Sequence, residues 1–368
     1  MTASSRSFFR SEPPAPMEAV AALFGEGREE TARAVVDSLA ARVFDAAPPR
    51  PSNLVRRGLA RLVWRLMQAT TRTEIRPGPD GQEVVIFRNR ILERSGHPYA
   101  TTLLEPSRAD TQGFVEGGDP MNALYMMLSP EIRGRAGVWD HIMLDSVQAR
   151  DVQLRFVWES RCSYDLAAAR LARGEAVRLK AVAAGAGLSM VLVLDRLLRE
   201  GGDPALISAV IADREAANVA KAARLLGKLA ATRPLLESDR VQTVVEDLLA
   251  PAHDRPADVI TAMGILEYFP GHTFTTTERH LGHPEPAGPP HAEDLVRNLA
   301  AMTAPGGSLV TNTFRLISAV RIMEVFGKKF RYRGRSEMQR LLATSGFVPA
   351  GRHHSGHVFD VEVFQKRV

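Results

Sequence analysis

Residues 177–189, Val-Arg-Leu-Lys-Ala-Val-Ala-Ala-Gly-Ala-Gly-Leu-Ser, constrain the fold more than any other stretch. An apolar-rich run leads straight into Gly185-Ala186-Gly187, and a helical run over 190–198 comes at once after it. The pattern predicts a strand, a tight glycine turn and a helix. Such a turn lets backbone approach a ligand closely and aims the N–H groups of a helix start at it. The spacing Gly-x-Gly-x-Ser lacks the last glycine of the dinucleotide fingerprint Gly-x-Gly-x-x-Gly. On its own, the turn fits a nucleotide loop or an ordinary strand–helix junction. The surrounding chain has to decide.

The chain has 368 residues, 45% of them apolar, which is enough to bury a large core and suggests two domains. No run of about 18 uncharged apolar residues occurs, so no membrane span is expected. Residues 1–16 are rich in Ser, Pro and Arg and lack an apolar core; they read as disordered rather than as a secretory signal. The one cysteine, Cys162, rules out an intramolecular disulfide and fits a reducing, cytoplasmic setting. It reads as a packed small residue rather than a nucleophile. A net charge of +5, from 47 basic and 42 acidic residues, permits an anionic partner without requiring one.

The first 150 residues read as mostly helical. Residues 17–24 and 30–44 space Ala, Val, Leu and Phe helically until Pro48, Pro49 and Pro51 intervene. Ser52 is placed to cap the next helix, which sets Leu59, Leu62 and Leu66 on one side and Arg56, Arg57, Arg61 and Arg65 towards the other. We read it as a surface helix packed on its own domain with a solvated arginine face, the alternative being a helix lying on a membrane surface. A β-hairpin is predicted from 73–76 and 83–87 around a Pro/Gly-rich turn. Helical signal returns from Asn122, and a long helix over 149–173 leads into the glycine turn.

Past residue 175 strands and helices alternate. Strands are predicted at 177–182, 206–212, 241–245, 258–263 and 308–313, and helices at 189–199, 215–229 and 292–302. Ser336-Glu337-Met338-Gln339 has the form of a capping box for a helix running to Thr344, and 357–365 alternates like a last strand. This order implies an α/β chain: a seven-stranded, mostly parallel doubly wound sheet with a mostly helical N-terminal domain. The domain division is 1–16 disordered, 17–150 helical, and 151–368 for the sheet.

Ligands of doubly wound sheets sit at the carboxyl ends of the strands, so the residues just past each strand matter most. Asp213 ends the second strand and can accept hydrogen bonds from the two hydroxyls of a ribose. Asp247 ends the third, with Glu246 as competitor, and a carboxylate there can accept from an adenine amino group. Either acid would otherwise serve a helix start.

The fourth strand and the segment after it read Asp258-Val259-Ile260-Thr261-Ala262-Met263-Gly264-Ile265-Leu266-Glu267-Tyr268-Phe269. Together with Pro305-Gly306-Gly307 and Ser345-Gly346-Phe347, this run resembles in order and spacing the motifs of class I S-adenosylmethionine (SAM)-dependent methyltransferases. The resemblance covers about 175–368. The glycine turn resembles that family's Asp/Glu-x-Gly-x-Gly-x-Gly motif, with Ala183 in place of the acid and Ser189 in place of the last glycine. It implies SAM as cofactor and an antiparallel seventh strand at 357–365. Ala184, Gly185 and Gly187 would bring backbone against the amino-acid moiety of SAM. Asp213, with Arg214 beside it, would hold the ribose. Glu246, Asp247 and Leu248 would flank the adenine, and Met263 and Gly264 would lie near the sulfonium. The acid missing at Ala183 leaves a gap that Arg155 or Tyr164, on the helix before the first strand, would compensate, Arg155 through the SAM carboxylate.

The resemblance implies methyl transfer by in-line displacement, in which the protein aligns the partners and excludes water. His272 and Tyr268 are the candidate bases; His280, His283 and His291 belong to the same stretch, but their spacing does not make a metal site. The Asn/Asp-Pro-Pro-Tyr/Phe motif of amino-group nucleic-acid methyltransferases is absent, and no basic patch is interleaved with aromatics. The acceptor is therefore expected to be a small molecule rather than a nucleic acid. The N-terminal helices would then form a lid, a pocket wall or a homodimer interface. Rival readings are aminopropyl or aminocarboxypropyl transfer on the same fold, an inactive SAM-binding module, and a nicotinamide-dependent oxidoreductase.

Overall fold

The computed structural model describes residues 15–26, 28–49, 54–77, 83–95, 97, 104, 107–108, 119–251, 255–271, 291–317, 325 and 330–368. Helices α1 (Ala15–Phe24) and α2 (Glu29–Ala40) open the chain, and α2 continues through a π-helical turn, Ala41–Asp45. Ala15 and Pro16, expected in a disordered leader, instead begin α1 and are buried. Their apolar contacts hold them in place. The expected cap Ser52 lies outside the described residues.

Helix α3 (Leu54–Thr70) precedes the antiparallel hairpin β1 (Arg72–Pro77) and β2 (Glu83–Arg88). Then come α4 (Arg90–Ser95), the short β3 (Ser107–Arg108), α5 (Asp119–Met126), α6 (Pro130–Arg135) and α7 (Val138–Leu144). The apolar face of α3 was expected to pack. Among the described residues of that face, Met67 is buried and Val63 half-buried; Leu59, Leu62 and Leu66 are exposed, as are Arg61 and Arg65.

The 25-residue α8 (Val147–Leu171) carries the chain from the helical region to the sheet. It begins before the 150/151 division, and one continuous apolar core joins Leu23, Val36 and Leu39 of the first helices to Val157 of α8 and to Leu192, Leu179 and Ile211 beside the sheet. The strands are β4 (Val177–Val182), β5 (Ile207–Asp213), β6 (Val241–Val245), β7 (Ala257–Ala262), β8 (Thr303–Phe314), β9 (Phe347–Ser355) and β10 (Phe359–Lys366). Between them lie α9 (Leu188–Arg199), α10 (Ala216–Ala230), α11 (Ala292–Met302) and α12 (Arg335–Ala343).

The seven strands are ordered β6-β5-β4-β7-β8-β10-β9. Counted within the sheet this is 3-2-1-4-5-7-6. The first five are parallel, and β10 is antiparallel to both neighbours. Strands β5 and β6 are laid down on one side of β4, and β7 and β8 on its other side, so the switch point lies over the tip of β4. Near-continuous burial along β4, β5 and β7 explains why they read as apolar runs. A second apolar cluster, built on Val182, Ile260 and Leu309 with Leu295 and Leu342, fills the opposite face under α11 and α12.

Two local expectations shift. Residues 304–307 do not form a turn ahead of the fifth strand: they bulge within its start, between the pairs Ala257–Thr303 and Val259–Ser308. The last helix is capped at Gly334, not Ser336, because Glu337 at the third helical position accepts from the Gly334 N–H at 2.7 Å. The box motif is read two residues late when the serine is given precedence over the glutamate.

Gly187 caps α9 at a φ of +68°, and a Cβ there would lie 2.6 Å from Cγ2 of Ile211 and 3.5 Å from Ala222. Gly187→Ala combines left-handed strain with a clash against β5 and α10. We expect it to cost about 2–4 kcal/mol in urea unfolding. A cost below about 1 kcal/mol would show that the turn is not packed as described.

Candidate active site

Three strand tips meet at the switch point. The turn after β4 holds two left-handed glycines, Gly185 at φ +55° and Gly187 at φ +68°, and Ala183, at φ +48°, is left-handed without being glycine. A left-handed alanine costs on the order of 1 kcal/mol, so the surroundings must hold it. They do so through hydrogen bonds: the Ala184 N–H donates to the carbonyl of Ala212 at 3.0 Å, and the Gly187 N–H to the carbonyl of Ala184 at 2.9 Å.

Asp213 completes the arrangement. Its Oδ2 accepts from the Gly185 N–H at 2.7 Å, and its Oδ1 from the Glu215 N–H at 2.9 Å and from Nδ2 of Asn218 at 3.2 Å. Its carbonyl accepts from the Glu246 N–H at 3.0 Å. The acid expected to hold a ribose thus also fixes the glycine turn and opens α10. It is buried at the tip of β5.

At the tip of β6, Glu246 is buried against Lys180 of β4, with Nζ 2.9 Å from one carboxylate oxygen and 2.8 Å from the other. Both side chains are almost wholly enclosed. Glu246 is therefore committed to a charge within the sheet, and Asp247, exposed, is the carboxylate that faces outwards. Asp247 also accepts from the Leu249 N–H at 2.9 Å, and Leu248 is buried in the second core. Arg214 is exposed, with Nε 3.4 Å from Glu215.

Beyond β7, Met263 is buried and Gly264 is left-handed at φ +70°. The Gly264 N–H donates to Oδ1 of Asn312 at 2.7 Å, and Asn312 also bonds the carboxyl of Glu267. Burial pushes the Glu267 carboxyl above its ordinary range, against the opposing pull of Arg155. Arg155 approaches Glu267 at 3.7 Å and lies over the ring of Phe359, 4.7 Å from its centre. Arg333 donates to the carbonyls of Leu266 and Phe269, and the Arg331 N–H to that of Glu267. Neither arginine was picked out in the sequence, because both come after a stretch without periodic signal. Tyr268 is half-buried, its ring edge-on to Phe330 at 5.4 Å. His272, His280 and His283 lie outside the described residues.

Two helix residues placed near the cofactor in the sequence part company. Arg155 is buried beyond β7, against Glu267 and Phe359. Tyr164 lies elsewhere: its hydroxyl donates to Glu200, the C-terminal cap of α9, while the glycine turn sits at that helix's other end. Nine residues along α8 carry it about 13 Å from Arg155. There it helps line a separate cavity of about 550 Å3 with Phe44, Trp158, Arg161, Arg352 and His354. Cys162 also borders that cavity, and burial raises its thiol to about 12, as suits a packing residue.

A carboxylate joins Arg331 and Arg333 as a site group without a sequence signal. Glu159, on α8, is half-buried and hydrogen-bonded to the hydroxyls of Ser189 and Thr261. Burial drives its carboxyl up to about 7, with Arg155 pulling the other way. A lone glutamate inside a helix looks like a solvent-facing residue. Only the fold shows that it points between the start of α9 and β7.

No family model and no curated protein matches the chain. Among solved structures it is similar to magnesium protoporphyrin IX methyltransferase from Synechocystis PCC 6803, crystallised with bound SAH, at 13% identity over 58% of this chain and 87% of that one, with a TM-score of 0.39. It is similar to the [4+2]-cyclase SpnF at 17% identity over 57% and 81% of the two chains, with a TM-score of 0.37. It is also similar to a possible exported protein from Bordetella parapertussis at 14% identity, over 92% of this chain and 99% of that one, with a TM-score of 0.47. The antiparallel seventh strand that the motif order implied is present. Among the described residues, the sheet is the seven-stranded, mostly parallel, doubly wound architecture that the sequence led us to expect. Among the described residues, no helix is long and apolar enough to cross a membrane.

The raised carboxyl of Glu159 makes the folded state bind more protons than the unfolded chain between 4.5 and about 7. Stability is thus lost as pH rises through that window. Glu159→Gln, which keeps the shape and removes the charge, should stabilise the unliganded protein by about 2 kcal/mol more at pH 8 than at pH 5. Urea midpoints at the two pH values test this, and an equal effect at both would contradict the buried carboxyl.

Proposed function

We propose that this chain is a SAM-dependent methyltransferase acting on a small molecule. The observation that carries the reading is the hydrogen bond between the Gly185 N–H and Asp213 across the switch point. It fixes a left-handed glycine turn beside a buried carboxylate, with the start of a 12-residue helix immediately after. Turn amides and helix-start N–H groups suit a carboxylate, and Asp213 suits a pair of ribose hydroxyls. Asp247 is the acid that suits the adenine amino group, since Glu246 is held by Lys180.

SAM, when bound, supplies an electrophilic methyl group on a sulfonium. The chain's own residues orient and enclose. Met263 and Gly264 form the wall beyond β7, and Asn312 holds that wall to Glu267. Arg155 supplies a cation beside the cleft that suits a carboxylate. Tyr268, and His272 from outside the described residues, are the candidates to take a proton from the acceptor. Helix α8 packs on the strands, and α1 and α2 pack on the helices that flank them; we take this helical layer to suit a small acceptor rather than a polymer.

Two measurements test this reading. Calorimetry should show binding of SAM and of its demethylated product SAH, and Asp213→Ala should weaken both by about tenfold or more, since it removes hydrogen bonds to a charged acceptor and the tie to the turn. Near-native affinity in that variant would remove the ribose assignment. Product mass then separates the chemistries: a gain of one methyl group supports methyl transfer, and a larger added group supports aminopropyl or aminocarboxypropyl transfer.

A further inference from the structure

The family motif places an acid at the end of the first strand, where this chain has Ala183. The structure brings another acid to the same corner from a different element. Glu159 reaches from α8 to Ser189 in the first turn of α9 and to Thr261 on β7. Thr261 is paired with Ala181, two residues before Ala183 on β4. The carboxyl therefore lies between the helix that leaves the glycine turn and the strand beside β4. Both positions border the switch point.

The surroundings of this carboxyl are built for a change of charge. The hydroxyl of Ser160 donates to the carbonyl of Phe156 at 2.9 Å and lies 3.0 Å from the Ser189 hydroxyl. A protonated Glu159 completes a chain in which each hydroxyl donates once: Glu159 to Ser189, Ser189 to Ser160, Ser160 to Phe156. An ionised Glu159 instead accepts from Ser189 and from Thr261. The charged group facing it is Arg155, one turn back on α8, and Arg155 is shared with Glu267 at 3.7 Å. Cys162 lies one turn on, its thiol held neutral at about 12. Among the described residues the cation facing this anion, Arg155, is shared with Glu267, an arrangement that suits a further cation.

We propose that Glu159 takes the place of the acid missing at Ala183 and receives the ammonium group of the SAM amino-acid moiety. The assignment rests on the SAM reading above. The corner is a binding site for an ammonium group, built from α8 rather than from β4. Ser189, which stands where the motif has its last glycine, is the hydroxyl that orients the carboxylate. The two departures from the motif are then one change: an acid is lost from the strand, and a hydroxyl is gained to steer an acid on the helix.

The experiment is calorimetry on the full chain with two probes, SAH and methylthioadenosine, which lacks the amino-acid moiety. Glu159→Gln should weaken SAH by about ten- to a hundredfold, the range of a charge-assisted hydrogen bond, and leave methylthioadenosine within about twofold. Glu159→Asp should recover part of the loss. Retained methylthioadenosine binding also shows that the variant is folded. Equal SAH affinity in wild type and Glu159→Gln would overturn the assignment and leave the SAM reading standing. Loss of both probes in the variant would also overturn it, making Glu159 a packing residue. If the wild-type chain binds neither probe, the SAM reading fails, and this assignment with it.

Discussion

Helix α8 has to bury polar groups, and the rest of the molecule is arranged to satisfy them. A helix of 25 residues that packs on several sides cannot send every charge to water. Asp151 is buried and accepts from the backbone N–H groups of Val358 and Phe359, which fixes the entry to β10. Burial still pushes its carboxyl upwards. Gln153 donates to the carbonyl of Leu144 at 3.1 Å and sets the angle between α7 and α8. Arg155 meets Glu267 beyond β7, Glu159 meets Ser189 and Thr261, and Arg161 donates to the carbonyls of Val43 and Ala46 at the end of the π-helical turn. Successive turns of one helix thus tie down the seventh strand, the fourth strand, the glycine turn and the N-terminal helices. Removing one partner of such a buried set costs more than the pair contributes, because the other is left desolvated.

The glycine turn adds a second constraint of the same kind. Ala183 occupies a left-handed conformation that only its neighbours can enforce. The enforcing bonds come from β5: the carbonyl of Ala212 for Ala184, and the carboxylate of Asp213 for Gly185. The Lys180–Glu246 pair spans β4 and β6 beneath this point. A buried ion pair of this type is weak evidence for stability, but it fixes which tip lies over which. The backbone that would meet a ligand is therefore set before one arrives, which reduces the ordering cost of binding.

The strands were legible because buried parallel strands read as apolar runs. The bounds expected for β4 and β6 agree with the fold residue for residue, and those for β5 and β7 shift by one. The places of Asp213 at the end of β5 and of Gly185 in the turn after β4 were legible because a motif names positions relative to strands. The polar belt of α8 was not. Its apolar residues occur all round, so no face stands out as wet or dry, and a buried Glu159 is indistinguishable in sequence from an exposed one. Tyr164 was misplaced for a related reason: the helix was recognised, but nothing in its sequence says which turn lies over the glycines. The exposed leucines of α3 mark the converse failure. Periodicity predicts an apolar stripe but not whether a surface exists to cover it.

Where a ligand-binding acid is mounted decides what binding does to the rest of the protein. A carboxylate at the end of β4 would be held by the sheet. A carboxylate on α8 is held by a helix whose other turns anchor the π-helical turn through Arg161 and the last strand through Asp151. Its burial opposes ionisation, against the weaker pull of Arg155. A cation placed against it removes that opposition, and by linkage the gain appears as stability of everything that depends on the position of α8. The N-terminal helices share that core with the sheet. A ligand held by Glu159 would then be linked to their packing through α8.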